Sequence, residues 1–313
     1  MLSFTAMDLR QLHALLAVAE HHSFSAAARA LHTVQSNVST HVARLEQEVG
    51  STLIDRAEGE LTVEGAIVAD RARRILAELR AIEDDLISLR DDVSGTVRTG
   101  VIGTTARWLV PAVLNGVSAE FPRVELRVIE ATTTSLLPQL LSDRLDLAVI
   151  NMPVDDPDVD TDVLFTEERI IVTPLDHPLA QHDRVDLAEL SSHQILLPPQ
   201  GTAFRDEIDT DARRARVTLS TRAEVDGLRL LTSLAFQGFA PALVPASAAP
   251  SWLEGDWKRV NVEGLSPRIV GLATPRRTPP SAPTRALADL IRRIVAAEGP
   301  AQAVISPATP ATD

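Results

Sequence analysis

The fold is decided by residues 23–50, which run SFSAAARALHTVQSNVSTHVARLEQEVG. Small side chains dominate residues 25–31 and predict a short helix that another helix can approach closely. Residues 32–34 interrupt this pattern, and a second helix is predicted to begin at Gln35 and to end at Gly50. Two helices joined by a tight turn, the second polar on its outer face, are the arrangement that places a recognition helix in the major groove of DNA.

An earlier helix is predicted over residues 8–20, with Asp8 as its N-cap. In the helix that begins at Gln35, apolar side chains at spacings of four, three and four predict a buried face made of Val38, Val42, Leu45 and Val49. The outward positions are Ser36, Asn37, Thr40, His41 and Arg44. All five can hydrogen-bond to base edges or phosphates. The same periodicity is equally typical of a small helical bundle with a solvated polar face.

Residues 68–93 follow a heptad pattern. Apolar side chains recur at alternating steps of four and three through Val68, Ala72, Ile75, Leu79, Ile82, Leu86, Leu89 and Val93. An amphipathic helix packed on its own domain gives a similar pattern, but a strict period of 3.5 over this length favours a seam between two subunits. We therefore expect a dimer whose contacts are Ile75, Leu79, Ile82, Leu86 and Leu89.

Beyond residue 95, short strands alternate with helices. Strands are predicted at 96–102, 124–129, 146–150, 169–173, 194–197, 220–224, 242–244 and 268–274. Helices are predicted at about 105–120, 135–143, 203–215, 226–237 and 282–297. Strand, helix, strand, helix, strand indicates a parallel sheet with right-handed crossovers. Residues 298–313 contain three prolines and are predicted to form a disordered tail.

Composition excludes several classes of protein. The chain carries 30 basic and 43 acidic side chains and a net charge of −13, which argues against a general nucleic-acid coat. It contains no cysteine, which excludes disulfides, a thiol nucleophile and a cysteine-ligated metal site. No apolar run approaches the roughly 18 residues of a membrane span, and no signal-like segment is found at the start. We expect a cytoplasmic protein that does not associate with membranes.

The sequence resembles the LysR-type transcriptional regulators from about residue 7 to residue 297. In the N-terminal part, the resemblance is carried by residues 23–31 (SFSAAARAL), 35–39 (QSNVS), 45–50 (LEQEVG), 53–56 (LIDR) and 61–65 (LTVEG). Further along, it is carried by residues 100–103 (GVIG), 109–111 (LVP), 121–124 (FPRV), 145–148 (LDLA), 177–180 (HPLA) and 237–245 (QGFAPALVP). Each segment is weak alone, but their order and spacing are specific to this family.

The resemblance implies an α/β protein with an N-terminal all-α winged helix-turn-helix domain, a long linker helix and a C-terminal effector domain. The effector domain is expected to be of the two-subdomain, periplasmic-binding-protein-like (type 2) kind. The implied boundaries are 1–66 for the DNA-binding domain, 67–94 for the linker, 95–300 for the effector domain and 301–313 for the tail. Subdomain I is expected over 95–166 and 272–300, and subdomain II over 167–271.

The resemblance also implies partners. Such regulators pair through the linker helix and assemble as tetramers made from dimers, so homodimers and homotetramers are expected. Double-stranded DNA and a small-molecule effector are the other expected partners, and RNA polymerase is a further candidate. No cofactor or metal is expected.

For DNA binding, the resemblance implies base contacts from Gln35, Ser36, Thr40 and His41. Phosphate or groove-edge contacts are implied for Thr33, Ser39, Arg44 and Arg56. Local hydrogen bonding is an equal alternative for Thr33 and Ser39, and Arg44 has the alternative of pairing with Glu48 one turn later.

One departure from the family concerns charge. Residues 1–70 hold four basic and nine acidic side chains, and the wing residues 57–60 (AEGE) are acidic where the family usually carries basic residues. We therefore expect weak binding per subunit and a strong dependence on linked half-sites.

Three hydroxyl-rich turns follow predicted strands, which is where α/β proteins bind ligands at helix N-termini. They contain Thr104 and Thr105, then Thr132, Thr133 and Thr134, and finally Gly201 and Thr202. With Arg107 and Arg205 as charge partners, these turns predict a site for a small organic acid. The alternative is that the hydroxyls only cap helices. Trp108 either lines the cleft or packs in the core.

Three alternative functions are an enzyme, a solute-binding protein and a LysR-like protein without DNA binding. An enzyme finds little support, because the sequence has no Gly-x-Ser-x-Gly elbow, no phosphate-binding glycine pattern and no metal-spaced histidine cluster. A solute-binding protein would fit the cleft but not the helix-turn-helix or the missing signal peptide. The acidic wing motivates the third, a LysR-like protein that has lost DNA binding.

Overall fold

The computed structural model describes residues 7–88, 93–250, 252–277, 279–302 and 305–308. The chain divides into two compact units. The first comprises the residues up to Leu86 together with the short segment Ser142–Arg144, and the second comprises Ile87–Leu141 and Leu145–Asp313. None of the helices in the described ranges combines the length and apolar composition that a bilayer crossing demands.

The first unit is a three-helix core with a two-stranded wing. Its elements are α1 (Leu9–His21), α2 (Phe24–Ala30), α3 (Gln35–Val49), β1 (Ile54–Asp55), β2 (Glu60–Leu61) and α4 (Val63–Ser88). Asp8 caps α1 in a reciprocal capping box with Gln11, as the N-cap prediction requires. Gly50 ends α3 with a φ of 73°, a left-handed conformation that favours glycine.

The core of this unit joins all four helices. Its buried members include Leu12, Leu15, Val18, Val38, Val42, Leu45, Leu53, Ile54, Ala69 and Ala72. Val38, Val42 and Leu45 are buried as predicted, and Val49 is half-buried. The start of α4 approaches the wing so closely that a Cβ on Gly65 would lie 1.9 Å from the carbonyl oxygen of Leu53. The core therefore fixes the angle at which the exposed part of α4 leaves the domain.

The predicted linker helix differs from its observed form at both ends. α4 begins at Val63, because its first turns pack on their own domain through Val68, Ala69 and Ala72. Further along, its apolar side chains are exposed, and these are Ile75, Leu79, Ile82 and Leu86. Leu89 lies outside the described residues, and Val93 belongs to no helix because it directly precedes a strand.

The second unit alternates strands and helices. Its strands are β3 (Ser94–Val101), β4 (Arg123–Glu130), β5 (Leu147–Met152), β6 (Val159–Glu167), β7 (Arg169–Pro174), β8 (Arg184–Asp186), β9 (Gln194–Leu197), β10 (Ser220–Glu224), β11 (Ala242–Pro245), β12 (Trp257–Glu263), β13 (Arg268–Pro275) and β14 (Ile305–Pro307). Its helices are α5 (Gly103–Glu120), α6 (Thr133–Leu141), α7 (Leu187–Ser191), α8 (Ala203–Arg214), α9 (Leu228–Phe236) and α10 (Ala282–Glu298).

These strands form two sheets of six. The first has the order β14-β6-β13-β5-β3-β4 and the second the order β10-β9-β11-β7-β12-β8. The parallel pairing predicted for the first three strands is confirmed, but both sheets also contain antiparallel pairs and are therefore mixed. β3 runs parallel to β4 and β5, but β13 runs antiparallel to β5 and β6, and β7 runs antiparallel to β11 and β12. The antiparallel pairs of β7 and β13 involve the first strand after each crossing between the sheets, and β14 adds another antiparallel pair with β6.

The chain crosses between the sheets twice. It leaves the first sheet at Glu168, between β6 and β7, and returns through residues 264–267, between β12 and β13. The second crossing therefore precedes the predicted boundary at 272, because β13 is one continuous strand paired with β6 from Arg268 onwards. The two crossings lie side by side, because Arg268 pairs with Glu167, and they connect the two halves of this unit.

The C-terminal segment is not wholly a disordered tail, which corrects that prediction. Residues 305–307 form β14 and pair antiparallel with β6. Ile305 is buried in the core of the first sheet, and this burial offsets the loss of chain entropy on ordering the strand.

Candidate functional site

The outer face of α3 carries exposed polar side chains. Gln35, Ser36, Asn37, Thr40 and Arg44 are exposed on it, and Thr33 is exposed in the preceding turn. Three internal hydrogen bonds orient this face: Ser25 Oγ donates to Gln35 Oε1 at 3.0 Å, Asn37 Nδ2 to Thr33 Oγ1 at 3.0 Å, and Thr40 Oγ1 to the Ser36 carbonyl at 2.7 Å. The face is therefore partly pre-organised before any ligand arrives.

His41 differs from the other predicted base contacts. It lies three residues after Val38 and four before Leu45, so it sits at the edge of the buried face of α3. The side chain is half-buried, and its Nδ1 atom is buried with no hydrogen-bond partner in the described part of the chain. His41 is thus less available to a base than was predicted.

Arg56 is held at the border of this face. Its guanidinium pairs with Glu46 at 3.2 Å, lies over the Phe24 ring at 5.5 Å from the centroid and reaches Ser39 Oγ at 3.5 Å. Glu46 also accepts from the backbone N–H of Leu53, so one carboxylate fixes both the start of the wing and Arg56. About half of the Arg56 side chain remains exposed (52%), which leaves it able to contact a phosphate.

The structure does not show the alternative pairing of Arg44 with Glu48. Glu48, the proposed partner of Arg44, accepts instead from Gln11 Nε2 of α1 at 3.1 Å. Arg44 is exposed on α3.

The wing presents acidic side chains to solvent. Asp55, Glu58 and Glu60 are all exposed. Gly59, with a φ of 71°, packs so closely on the turn after α1 that a Cβ there would lie 2.2 Å from the carbonyl oxygen of His22. The acidic turn is therefore fixed in place, because any other residue at position 59 would clash.

In the second unit, the carboxyl ends of the parallel strands β3, β4 and β5 meet at one edge of the first sheet. Thr104, at the start of α5, is buried there and accepts a hydrogen bond from Arg268 Nη1 at 2.9 Å. Arg268 also donates to Glu167 at 2.9 Å and to Asn151 Oδ1 at 2.7 Å. Glu167 in turn accepts from the backbone N–H of Ser247 at 2.7 Å. This buried network joins the strand ends to both crossings between the sheets.

Electrostatics at this network are balanced. Arg268 and Glu167 are 3% and 1% exposed, so neither charge is solvated by bulk water. Burial lowers the pKa of Arg268 from its usual range, and the adjacent Glu167 carboxylate opposes that shift. The pair is stable only because each ion has the other and further hydrogen bonds.

The predicted hydroxyl turns are brought together only in part. Thr133 Oγ1 accepts from the backbone N–H of Asn151 at 3.0 Å, which places Thr133 beside the Thr104 network. Thr105 is fully buried, and its hydroxyl has no hydrogen-bond partner among the residues described. Thr132 and Thr134 are exposed and bond to each other at 3.0 Å. Thr104, Thr105 and Thr133 therefore form the core of the candidate effector site.

Gly201 and Thr202 lie in the other half of the unit, before α8. Thr202 Oγ1 donates to the carbonyl of Pro199 at 2.8 Å and does not cap the helix. Gly201 has a φ of 80°, which favours glycine at this turn. The capping alternative thus fails for Thr202, and at α5 the N-cap position is taken by Ile102, which has no polar side chain.

The three accessory residues have different surroundings. Arg205 is buried and pairs with Asp209 at 2.9 Å and Glu224 at 3.2 Å, so its charge is already neutralised; this corrects its predicted role. Trp108 packs in the core, edge-on to Phe165 at 5.7 Å. Arg107 is exposed and lies over the Trp252 ring at 5.5 Å.

Sequence reasoning missed the residues at the centre of the network: Arg268, Glu167, Asn151 and Ser247. The available signal was a charged residue beside an apolar stretch in each of two segments: Glu167 after VLF at 163–165, and Arg268 before IV at 269–270. Arg229 was also missed; it pairs with Glu130 at the end of β4 and so bridges the two halves.

A second polar network lies beside the crossings. Arg169 is buried, pairs with Glu207 and Asp211, and donates to the Ser266 carbonyl. It borders a cavity of about 350 Å³ whose other walls include Met152, Pro267 and Ile269. Within the described ranges, no three histidine, aspartate or glutamate side chains are grouped as metal ligands.

Comparison with known proteins matches both units. Residues 9–66 match the bacterial regulatory helix-turn-helix proteins of the lysR family, and residues 90–296 match the LysR substrate binding domain. A relative from Streptomyces viridosporus, named a probable hydrogen peroxide-inducible genes activator, is 36% identical over 246 residues, which are 77% of this chain and 78% of the relative.

Two solved structures agree with this assignment. A full-length OxyR from Pseudomonas aeruginosa with a cysteine-to-aspartate substitution is 25% identical, with a TM-score of 0.72 over 92% of this chain and 98% of that one. Full-length CbnR in complex with its target DNA is 23% identical, with a TM-score of 0.68 over 92% of this chain and 99% of that one, and shows the fold alone.

A helix-turn-helix followed by a substrate-binding domain defines a class of DNA-binding bacterial transcriptional regulators, which are not enzymes. Within that class, the chain belongs to the LysR family.

Proposed function

We propose that this regulator binds a dyad-symmetric DNA site through the α3 helices of paired subunits and that a small molecule in the cleft modulates its activity. The observation that carries the DNA-binding proposal is the exposed polar face of α3, supported from behind by a core of α1, α2 and α3. Gln35, Ser36 and Thr40 would contact bases, and Arg44 and Arg56 would contact phosphates.

Pairing through α4 is part of the proposal. Ile75, Leu79, Ile82 and Leu86 are between 37% and 60% exposed in the single chain. Side chains of this kind at heptad spacing are stabilised when a second helix covers them. Assembly of dimers into tetramers and contact with RNA polymerase in the cytoplasm complete the proposal.

For the effector, we propose a small organic acid bound beside Thr104, Thr105 and Thr133. The hydroxyl of Thr105 needs a partner, and α5 begins with no side-chain cap, so its first backbone N–H groups suit a carboxylate. Arg268 is bonded to Thr104 and Asn151 and so orders the same strand ends, while its charge is balanced by Glu167. No metal or cofactor enters this proposal.

Hydrogen peroxide is the competing effector, because the Streptomyces relative is named for it. Reversible peroxide sensing in proteins commonly proceeds through a cysteine thiolate and its sulfenic acid. The 313 residues contain no cysteine. We therefore propose that this regulator does not respond to peroxide through thiol oxidation.

A mobility-shift assay on the DNA upstream of the protein's own gene tests DNA binding. We expect a sequence-specific complex at low salt, with Gln35→Ala and Thr40→Ala each weakening it about tenfold, since a good base contact contributes roughly 1–3 kcal/mol. His13→Ala, which removes an exposed side chain of α1, is the matched control. No specific complex at any salt concentration would favour the alternative that DNA binding has been lost.

Thermal-shift measurements on the full chain test the effector. A ligand that binds only the folded state raises the melting temperature, and we expect this for one or more small carboxylic acids. Thr105→Val should abolish the shift, whereas Thr134→Val, at the exposed turn, should alter it less. A mobility-shift change after peroxide treatment that a thiol reductant reverses would contradict the proposal.

A further inference from the structure

An ion pair lies over the first residue of α5. Glu130, the last residue of β4, pairs with Arg229, the second residue of α9. A Cβ on Gly103 would lie 2.7 Å from Oε1 of Glu130 and 3.4 Å from Cδ of Arg229. The pair therefore lies against the N-terminus of α5, next to Thr104 of the candidate effector site.

The two partners come from different halves of the second unit. β4 is the outer strand of the first sheet, whereas α9 packs on β7 and β11 of the second sheet through buried Leu231 and Ala235. Both charged side chains are exposed, Arg229 to 58% and Glu130 to 44%. An exposed ion pair stabilises a protein only slightly, so another anion can replace Glu130 at low cost.

We propose that Arg229 binds the carboxylate of the effector and that Glu130 pairs with Arg229 until the effector replaces it. This inference rests on the proposed effector site, to which it adds the charged side chain that recognises the ligand.

Other arginines near the cleft are less suited to this role. Arg268 and Arg205 are buried and already paired with carboxylates. Arg107 is exposed, but its guanidinium lies over the Trp252 ring. Arg229 is exposed, and its present partner is itself a carboxylate, which is the group that an organic acid would bring. Such charge-assisted bonds are about twice as strong as neutral ones.

A ligand carboxylate between Arg229 and α5 would be stabilised by both. The first turn of α5 has no side-chain cap, and the N-terminal end of a helix favours a negative charge. The negative charge of Glu130 at the same place opposes the entry of a second carboxylate. Once replaced, Glu130 can turn into solvent, and the ligand then takes over the link between the two halves.

Two roles of the pair predict different results. If the pair only ties the halves together, removing either partner breaks the same bond, and both variants change effector affinity in the same direction. If Glu130 competes with the ligand, the variants act in opposite directions. Arg229→Gln then loses the group that binds the carboxylate, whereas Glu130→Gln loses its competitor.

Isothermal titration calorimetry of the full chain tests this, with acetate, succinate and benzoate as probes and acetamide, succinamide and benzamide as uncharged counterparts. For the acid that binds the wild type most tightly, Arg229→Gln should weaken binding about tenfold and abolish the preference for acid over amide. Glu130→Gln should tighten binding about two- to fivefold. Arg184→Gln and Glu263→Gln, which break a similarly exposed pair between β8 and β12, are the matched controls and should bind as the wild type does.

An Arg229→Gln variant that binds the acid as the wild type does, or a Glu130→Gln variant that binds it no more tightly, would overturn the inference and leave the effector proposal intact. A wild type that binds none of the three acids would overturn both. Circular dichroism of each variant separates a change of affinity from loss of the fold.

Discussion

Arg268 and Glu167 form an ion pair in which both side chains are buried. Removing one partner leaves the other charge buried without water or a counter-charge. Arg268→Met should therefore lower the free energy of unfolding by about 3–5 kcal/mol. Replacing both, as Arg268→Met with Glu167→Leu, should cost less, since no lone buried charge remains.

Urea unfolding of the full chain, followed through the transition of the second unit, measures this difference. Arg222→Met, at an exposed residue of β10, is the control and should change stability by less than about 0.5 kcal/mol. A single variant no less stable than the double variant would show that the pair is not mutually dependent.

His177 makes the stability of the second unit depend on pH. Burial lowers the pKa of His177 from its ordinary value of 6.5, and the His193 ring, 5.2 Å away, lowers it further. Below pH 6.5 the unfolded chain therefore binds more protons at this site than the folded chain. The free energy of unfolding should fall as the pH drops through this window.

Melting temperatures between pH 7.5 and 5.5 check this expectation. His177→Asn keeps an acceptor for the backbone N–H of Leu179, which the His177 ring now provides, and should flatten the slope. His13→Asn, at an exposed position of α1, should leave it as in the wild type. Equal slopes for all three proteins would contradict the assignment to His177.

Among the elements, those set by local sequence were predictable and those set by distant pairing were not. α1 and α3 follow from apolar spacing and from the caps Asp8 and Gly50, all within a few residues. β6 was missed because its burial comes from pairing with β13, more than 100 residues later.

The residues of the candidate site likewise divide into those predictable from local sequence and those set by distant contacts. Thr104 and Thr133 could be found from strand ends and turns. Arg205 of α8 was misjudged in part because Glu224, which pairs with it alongside Asp209, lies on another element, β10. Arg268 escaped notice because its partners Thr104, Asn151 and Glu167 come from three separate stretches of the chain.

β14 offers a direct test at this scale. Ile305→Ala should cost about 2–5 kcal/mol, because it removes buried apolar volume from the first sheet. Ser306→Ala, exposed on the same strand, should change stability by less than about 0.5 kcal/mol. Thermal unfolding compares the two, and a similar small effect in both would mean that β14 is only loosely attached.

At the scale of the whole molecule, the proposed pairing through the exposed seam of α4 would link assembly to DNA binding. Leu79→Asp combined with Leu86→Asp should yield monomers by light scattering, because two charges would face the partner helix. The monomers should also bind DNA far more weakly, since unlinked half-sites lose their effective concentration. Arg80→Ala, outside the seam, is the control. A dimer that persists in the double variant would assign pairing to another surface.

The acidic wing bears on how such a regulator finds its operator. Glu58 and Glu60 are exposed on the wing, which the resemblance to the family implies would face phosphates. Binding should then release few counterions, and the logarithm of affinity should fall only shallowly with the logarithm of salt concentration. A protein with low non-specific affinity for DNA spends little time sliding along it. We expect it to search mainly by diffusion through the cell, with most copies unbound to chromosomal DNA and occupancy set by copy number and base contacts.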